Sequence, residues 1–152
     1  MPEIVQRTMV RGAVDEVFDV SLDLDVERVA GRRFRVRAVE GFGRTKGRIQ
    51  LGESVRWRLR LFRLFPVTHT SNIVELERPH RFVDRMDSGP FAEFRHEHAF
   101  EPEGPQMTIM TDRMAWRSPA GPLGRLADAL FVRRTLRRLL ADRNSEIVRR
   151  FS

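Results

Sequence analysis

Two histidines separated by one residue carry the most chemical information in this chain. The stretch 88–101 reads SGPFAEFRHEHAFE, a tight-turn signal (Ser88-Gly89-Pro90) followed by alternation with period two. Successive side chains of a strand point to opposite sides, so Ala92, Phe94, His96, His98 and Phe100 share one face and Glu93, Arg95, Glu97 and Glu101 the other. Imidazoles on the aromatic face of a strand either find partners in a core or look into a pocket. A His-x-His pair sets two ring nitrogens on one face from alpha carbons roughly 7 Å apart, a spacing compatible with a metal. The chain has no cysteine and offers no helix-borne ligand pair, so neither a metal nor any other cofactor is expected. Acid–base work in an apolar pocket is the other chemistry open to these side chains, and it needs a carboxylate to orient the imidazole.

Asp112 is the candidate. Residues 106–116 (QMTIMTDRMAW) form a second strand pattern, with Pro102-Glu103-Gly104-Pro105 as the loop between the two. A hairpin closed on that loop predicts the pairs Phe100/Thr108, His98/Met110, His96/Asp112 and Phe94/Met114. His96 would then be a base acting on a ketone or enol, with Asp112 fixing its tautomer. The alternative is that both histidines are wall or core residues satisfied by neighbours. No serine lies in an elbow or triad context, and Gly41-x-Gly43 lacks the strand-to-helix setting of a phosphate loop.

The elements that must position these residues can be read from the change of period. Glu3–Val10 reads as a strand, and Ala13–Val20 and Asp25–Gly31 as two short helices, the second capped by Asp25. Strand patterns then run through Phe34–Glu40, Arg48–Leu51, Glu53–Phe62, Val67–Glu77, Arg81–Asp87, Phe91–Glu101 and Met107–Trp116. Val55, Trp57, Leu59 and Leu61 alternate with Ser54, Arg56, Arg58 and Arg60, the mark of an antiparallel sheet with one wet side.

The last thirty residues are helical with two apolar stripes. Leu123, Leu126, Ala127 and Leu130 lie on one, and Val132, Leu136, Leu139, Leu140 and Ile147 on nearly the opposite side, which predicts a break or sharp turn near Phe131, between a short helix from Pro122 and a long one from about Val132. Pro122 suits a first helical position. Arg143 falls on the second stripe, where a guanidinium must find an acid such as Asp84 or Asp112, or hold an acidic ligand group.

At 152 residues, 41% hydrophobic and 32% charged, the chain reads as one soluble domain spanning 1–152. No run is long enough to span a bilayer and no leader pattern begins the chain, so a cytoplasmic location is expected. The net charge of +7 comes from arginines scattered along strands and the last helix. That is a pattern of solvated faces, and no dedicated nucleic-acid site is expected, although the arginine-rich exterior could meet an acidic partner.

Four strings, VDEVFDVSLD at 14–23, LGESVRWRLRLF at 51–62, RPHRFVDRMDSGPFAEFRHEHAFE at 78–101 and PAGPLGRLADALF at 119–131, together with the element order, resemble the START-like, birch-allergen-like (SRPBCC) superfamily. Within it they look like the bacterial ligand-binding and polyketide cyclase/dehydrase-like branch. The resemblance implies an α+β helix-grip fold, with a curved antiparallel sheet of six or seven strands wrapped around a long C-terminal helix. Between them it implies a cavity for a hydrophobic or amphipathic small molecule. On this chain the wall would be Trp57, Leu59, Phe94, His96, His98, Met110, Asp112 and Met114, closed by Leu136, Leu139, Leu140 and Arg143. The resemblance brings no fixed catalytic motif. Binding is therefore the leading expectation, and a cyclase- or dehydratase-like activity using His96 and Asp112 the alternative.

Overall fold

The structure, a computed structural model, describes residues 1–61 and 63–152. Strand β1 (Glu3–Val10) leads into helices α1 (Val14–Ser21) and α2 (Leu24–Ala30). Six strands follow: β2 (Arg37–Gly43), β3 (Ser54–Leu61), β4 (Phe65–Glu77), β5 (Arg81–Ser88), β6 (Glu93–Gly104) and β7 (Met107–Arg117). Helix α3 (Gly121–Ala127), a π-helical turn (Asp128–Val132) and helix α4 (Arg133–Arg150) close the chain. The seven strands make one antiparallel sheet in the order β1-β7-β6-β5-β4-β3-β2. Consecutive strands neighbour each other except β1, which the two helices carry back to pair with β7.

The burial pattern follows the alternation of the sequence. On β6, Phe94, His96, His98 and Phe100 are buried, and on β7 so are Thr108, Met110, Asp112, Met114 and Trp116. Helix α1 forms because Val14, Val17 and Phe18 recur at helical spacing, and it buries Val17 and Phe18 on the sheet. The Phe18 ring meets Phe82 and Phe100 edge-on, at centroid distances of 5.7 and 5.2 Å. Sealing one such phenyl ring from water contributes about 1.5–3 kcal/mol. The β4–β5 ladder carries two bulges, one in β5 at Asp87 (Thr70 pairs with Ser88 and Ser71 with Met86) and one in β4 at Val74 (Ile73 pairs with Asp84 and Glu75 with Val83). Bulges of this kind bend a strand and increase its twist.

Four local expectations are corrected. The cap of α2 is Asp23, whose carboxylate accepts from the Asp25 amide, and not Asp25. Residues 48–51 are no strand. They make a single bridge, Arg48 to Asp23, and Ile49 donates to the Leu22 carbonyl, which ties this loop to the α1–α2 junction. Phe34 ends a 3-10 turn (Gly31–Phe34), and Arg35 takes a left-handed conformation (φ 53°) before β2 starts at Arg37. The expected end of the third strand at Phe62 lies outside the described residues.

The fourth correction concerns the C-terminal helix. No break occurs near Phe131; the Arg133 amide instead reaches back to the Asp128 carbonyl, five residues away. One residue too many in a turn rotates the phase of everything after it, which is what the two stripes required. The buried Asp128 carboxylate holds this turn by accepting from Trp116 Nε1 (3.0 Å) and Ser118 Oγ. The first stripe is not buried as a whole: Leu123 and Ala127 border the space between helix and sheet, yet Leu123, like Leu126 and Leu130, stays exposed.

Candidate functional site

Between the concave face of the sheet and α3–α4 lies a cavity of about 540 Å³. Its walls are mostly apolar. Trp57 and Leu59 enter from β3, Phe94 from β6, and Met114 from β7. Leu136, Leu139 and Leu140 close it from α4. Leu123 and Phe131 border it where α3 and the π-turn pass over.

The polar end is built from β4, β5 and β6, which contribute His69 and Ser71, Asp84, and His96 with His98. The hairpin register is two residues away from the expected one. His98 faces Asp112, His96 faces Met114, and Phe100 faces Met110. Pro102 does not end β6, because its missing amide is no obstacle where it pairs with Thr108, and the turn tightens to Pro105–Gln106. An even-numbered shift keeps every side chain on its expected face. His96 therefore still meets Asp112, diagonally, at 2.8 Å from Nε2 to Oδ1.

The two imidazoles lie stacked, 3.7 Å between centroids, and bridge the same two carboxylates. His98 Nε2 is 2.8 Å from Asp84 Oδ2, and its Nδ1 is 3.2 Å from Asp112 Oδ1, an ion-pair contact without hydrogen-bond alignment. His96 Nε2 bonds Asp112, while its Nδ1 stands 4.0 Å from Asp84 Oδ2. The Phe82 ring covers the other face of His98 at 4.0 Å. Asp112 itself is sealed behind the histidines. Its Oδ2 accepts from Asn144 Nδ2 (2.7 Å), and the Arg143 guanidinium stands 3.6 Å from its Oδ1. Arg143 also donates to Glu27 (2.7 Å), to Asn144 Oδ1 and to the Ser21 carbonyl. The acid that the buried arginine requires is thus supplied twice, by Glu27 and Asp112.

These contacts divide the proton affinities. Burial works against the charge on Asp84, but the His98 hydrogen bond and the neighbouring imidazoles outweigh it and bring the carboxyl down to about 2. Asp112 is held well below the carboxylate range in the same way, against its own burial, by its bond to His96 and the close approach of His98. Burial and the charge of His98 push His96 down despite Asp112. For His98, burial and Arg143 also act downward, yet the two carboxylates prevail and its affinity ends above the ordinary imidazole value. The consistent assignment is a shared imidazolium at His98 and a neutral His96. With both carboxylates ionised, the single proton of His96 sits on Nε2 facing Asp112, which leaves Nδ1 a bare acceptor. His69 is neutral as well, lowered by burial against the pull of Asp84.

Asp84, His96 and His98 bring three ligating atoms within 4.8 Å of one another. A cation there would have to replace the proton that His98 shares with the carboxylates and pry the stacked rings apart. The cluster is balanced without it, Asp84 and Asp112 against His98 and Arg143.

Of the residues expected at the cavity, Met110 and Asp112 do not line it. Met110 lies under α1, its Sδ 3.7 Å from Ser21 Oγ, because the register shift carries it beside Phe100. His69, Ser71 and Asp84 were missed as wall residues. The period-two pattern of Val67, His69, Ser71 and Ile73 on β4 held the signal for the first two.

No family model and no curated protein sequence matches the chain. Solved structures do. A START superfamily protein from Mycobacterium smegmatis matches with a TM-score of 0.73 at 11% identity, covering 99% of both chains. The fold is the START-like helix-grip fold. Another neighbour, a protein from Thermus thermophilus, matches with a TM-score of 0.74 at 16% identity over 99% of this chain and 100% of its own. An aromatase/cyclase from a Streptomyces species matches with a TM-score of 0.71 at 16% identity over 99% and 96%.

Proposed function

We propose that this chain binds a hydrophobic or amphipathic small molecule in the cavity between the sheet and α4. The observation that carries the reading is the form of that cavity: apolar walls from both sides of the fold ending in one ordered polar cluster, the usual composition of a small-molecule site. Like folds in a START superfamily protein and an aromatase/cyclase support it by analogy. Native mass spectrometry of the purified protein, with extraction and identification of any co-purified compound, tests it. A stoichiometric apolar compound is expected. An empty protein that also fails to bind any polyketide, fatty alcohol or sterol in a calorimetric screen would sink the reading.

One observation favours a catalytic second reading. His96 is neutral, oriented through Nε2 by a buried carboxylate, and has its other nitrogen free. Such an imidazole is equipped to take a proton from an enolisable ligand. With an aryl β-diketone as probe, α-proton exchange into D₂O followed by NMR should be faster with the protein than without. His96→Gln should abolish the acceleration while calorimetry still shows binding. Equal exchange by both proteins would leave binding alone.

A further inference from the structure

The polar end of the cavity is rich in acceptors and short of donors, and this constrains the ligand. The guanidinium of Arg143 borders the cavity but is committed to Glu27, Asn144 and the Ser21 carbonyl. Ser71 Oγ donates to Asp84 Oδ1 at 3.2 Å, His98 Nε2 to Asp84 Oδ2, and His96 Nε2 to Asp112. The Ser118 hydroxyl, near the α3 side, is spent on Asp128. Among the polar side chains of β5 and β6, what remains is the ionised Asp84 carboxylate, with 16% of its side chain still exposed, and the lone pair of His96 Nδ1, 4.0 Å away. A donor heteroatom placed between those two acceptors is within hydrogen-bond reach of both. His69, which meets the Phe94 ring edge-on at 5.3 Å and has no hydrogen-bond partner among the described residues, can add one ring N–H or one more lone pair.

We infer that the ligand of this cavity carries a hydrogen-bond donor at its inner end, a hydroxyl, phenol or amine, and not a carboxylate. The inference rests on the binding reading above and gives it a chemical class. A carboxylate at that position would lie beside the Asp84 charge in an apolar enclosure, with the neighbouring Arg143 cation already paired. The +7 net charge of the chain therefore does not translate into a taste for fatty acids inside it.

The test uses the intact protein and three probes with one aromatic body: 1-methylnaphthalene, 1-naphthylmethanol and 1-naphthylacetate, each titrated calorimetrically at fixed salt. The alcohol should bind best and the carboxylate at least about tenfold more weakly than the alcohol, a factor equal to about 1.4 kcal/mol. Asp84→Asn should bring the alcohol and carboxylate closer together. Should that variant fail to fold, histidine ¹⁵N spectra of the unaltered protein give the same answer, because the alcohol must shift His96 Nδ1 and the hydrocarbon must not. Failure of all three probes to bind overturns the cavity reading itself. Binding of the hydrocarbon together with equal or tighter binding of the carboxylate overturns only the donor inference. Zinc chloride alone displacing the alcohol would also overturn it, assigning Asp84, His96 and His98 to a metal instead.

Discussion

Asp112 receives His96, Asn144 and the flank of Arg143 on two oxygens, so its removal would strand several donors and a cation at once. Asp112→Asn should cost about 3–5 kcal/mol of stability, measured by urea unfolding, because breaking a buried pair leaves the partner charge uncompensated. The imidazoles give stability a dependence on pH with two opposed limbs. His69 and His96 are lowered in the fold, so their contribution is present above the unfolded value near 6.5 and is lost as pH falls through their folded values. His98 is raised, so its contribution is full below 6.5 and is lost as pH rises through its folded value. In thermal unfolding followed by circular dichroism, His69→Gln should make the acid limb shallower and His98→Gln the alkaline limb. An unchanged acid limb in His69→Gln would contradict the neutral assignment. At this scale the sequence put His96 and His98 on one face and His96 beside Asp112, because two adjoining strands alternate so cleanly, but it set His98 opposite Met110 instead of Asp112. It offered Asp84 as an acid for Arg143 and concealed it as the partner of His98, since pairing across strands depends on how β5 lies beside β6, and it concealed which imidazole keeps the proton.

The elements were legible where a period ran long and obscure where one residue altered the geometry. Two apolar stripes exposed the phase change in the C-terminal helix. Whether the chain would break or wind an extra residue into a turn depended on Asp128 finding Trp116 and Ser118, contacts distant enough that no local pattern announces them. Asp128→Ala should therefore cost about 1–3 kcal/mol, the penalty for leaving the Trp116 N–H unsatisfied in the interior. It should also speed hydrogen exchange in α3 relative to β6 and β7. Gly124 sits where an added Cβ would come 2.1 Å from the Pro119 carbonyl oxygen. Gly124→Ala should then destabilise the protein in urea, although alanine ordinarily gains a helix about 1 kcal/mol over glycine. The hairpin register differs from the expected one for a related reason: Pro102 carries a loop signal, yet its place in the ladder, opposite Thr108, tolerates it.

Across the whole molecule, part of the arginine charge is met by carboxylates on the outer sheet face. Arg81 pairs with Glu75, Glu77 and Glu97, and Arg95 with Glu75 and Glu97. Such exposed pairs add little stability, about 0–1 kcal/mol each, but they disperse the positive charge. Binding of a neutral probe inside the cavity should accordingly change less than about twofold between roughly 50 and 500 mM salt, by calorimetry, whereas an arginine-driven association would weaken steeply. The architecture itself was readable in advance, since strand, two helices, a long run of period two and a terminal helix leave few ways to close a core. The volume of the cavity was not, because it depends on how the sheet curves, and single-residue bulges in β4 and β5 leave no period to read.

The chain contains two tryptophans and no tyrosine, and the fold sends the two indoles to unlike places. Trp57 stands in the cavity wall; Trp116 is fully enclosed and tied to Asp128. Near-ultraviolet emission thus has two separable sources: Trp57 lies where an occupant would quench or shift it, while Trp116 reports the integrity of the helix–sheet junction. With Trp116→Phe and Trp57→Phe proteins in hand, one optical instrument could follow occupancy and unfolding as independent signals, with no label attached.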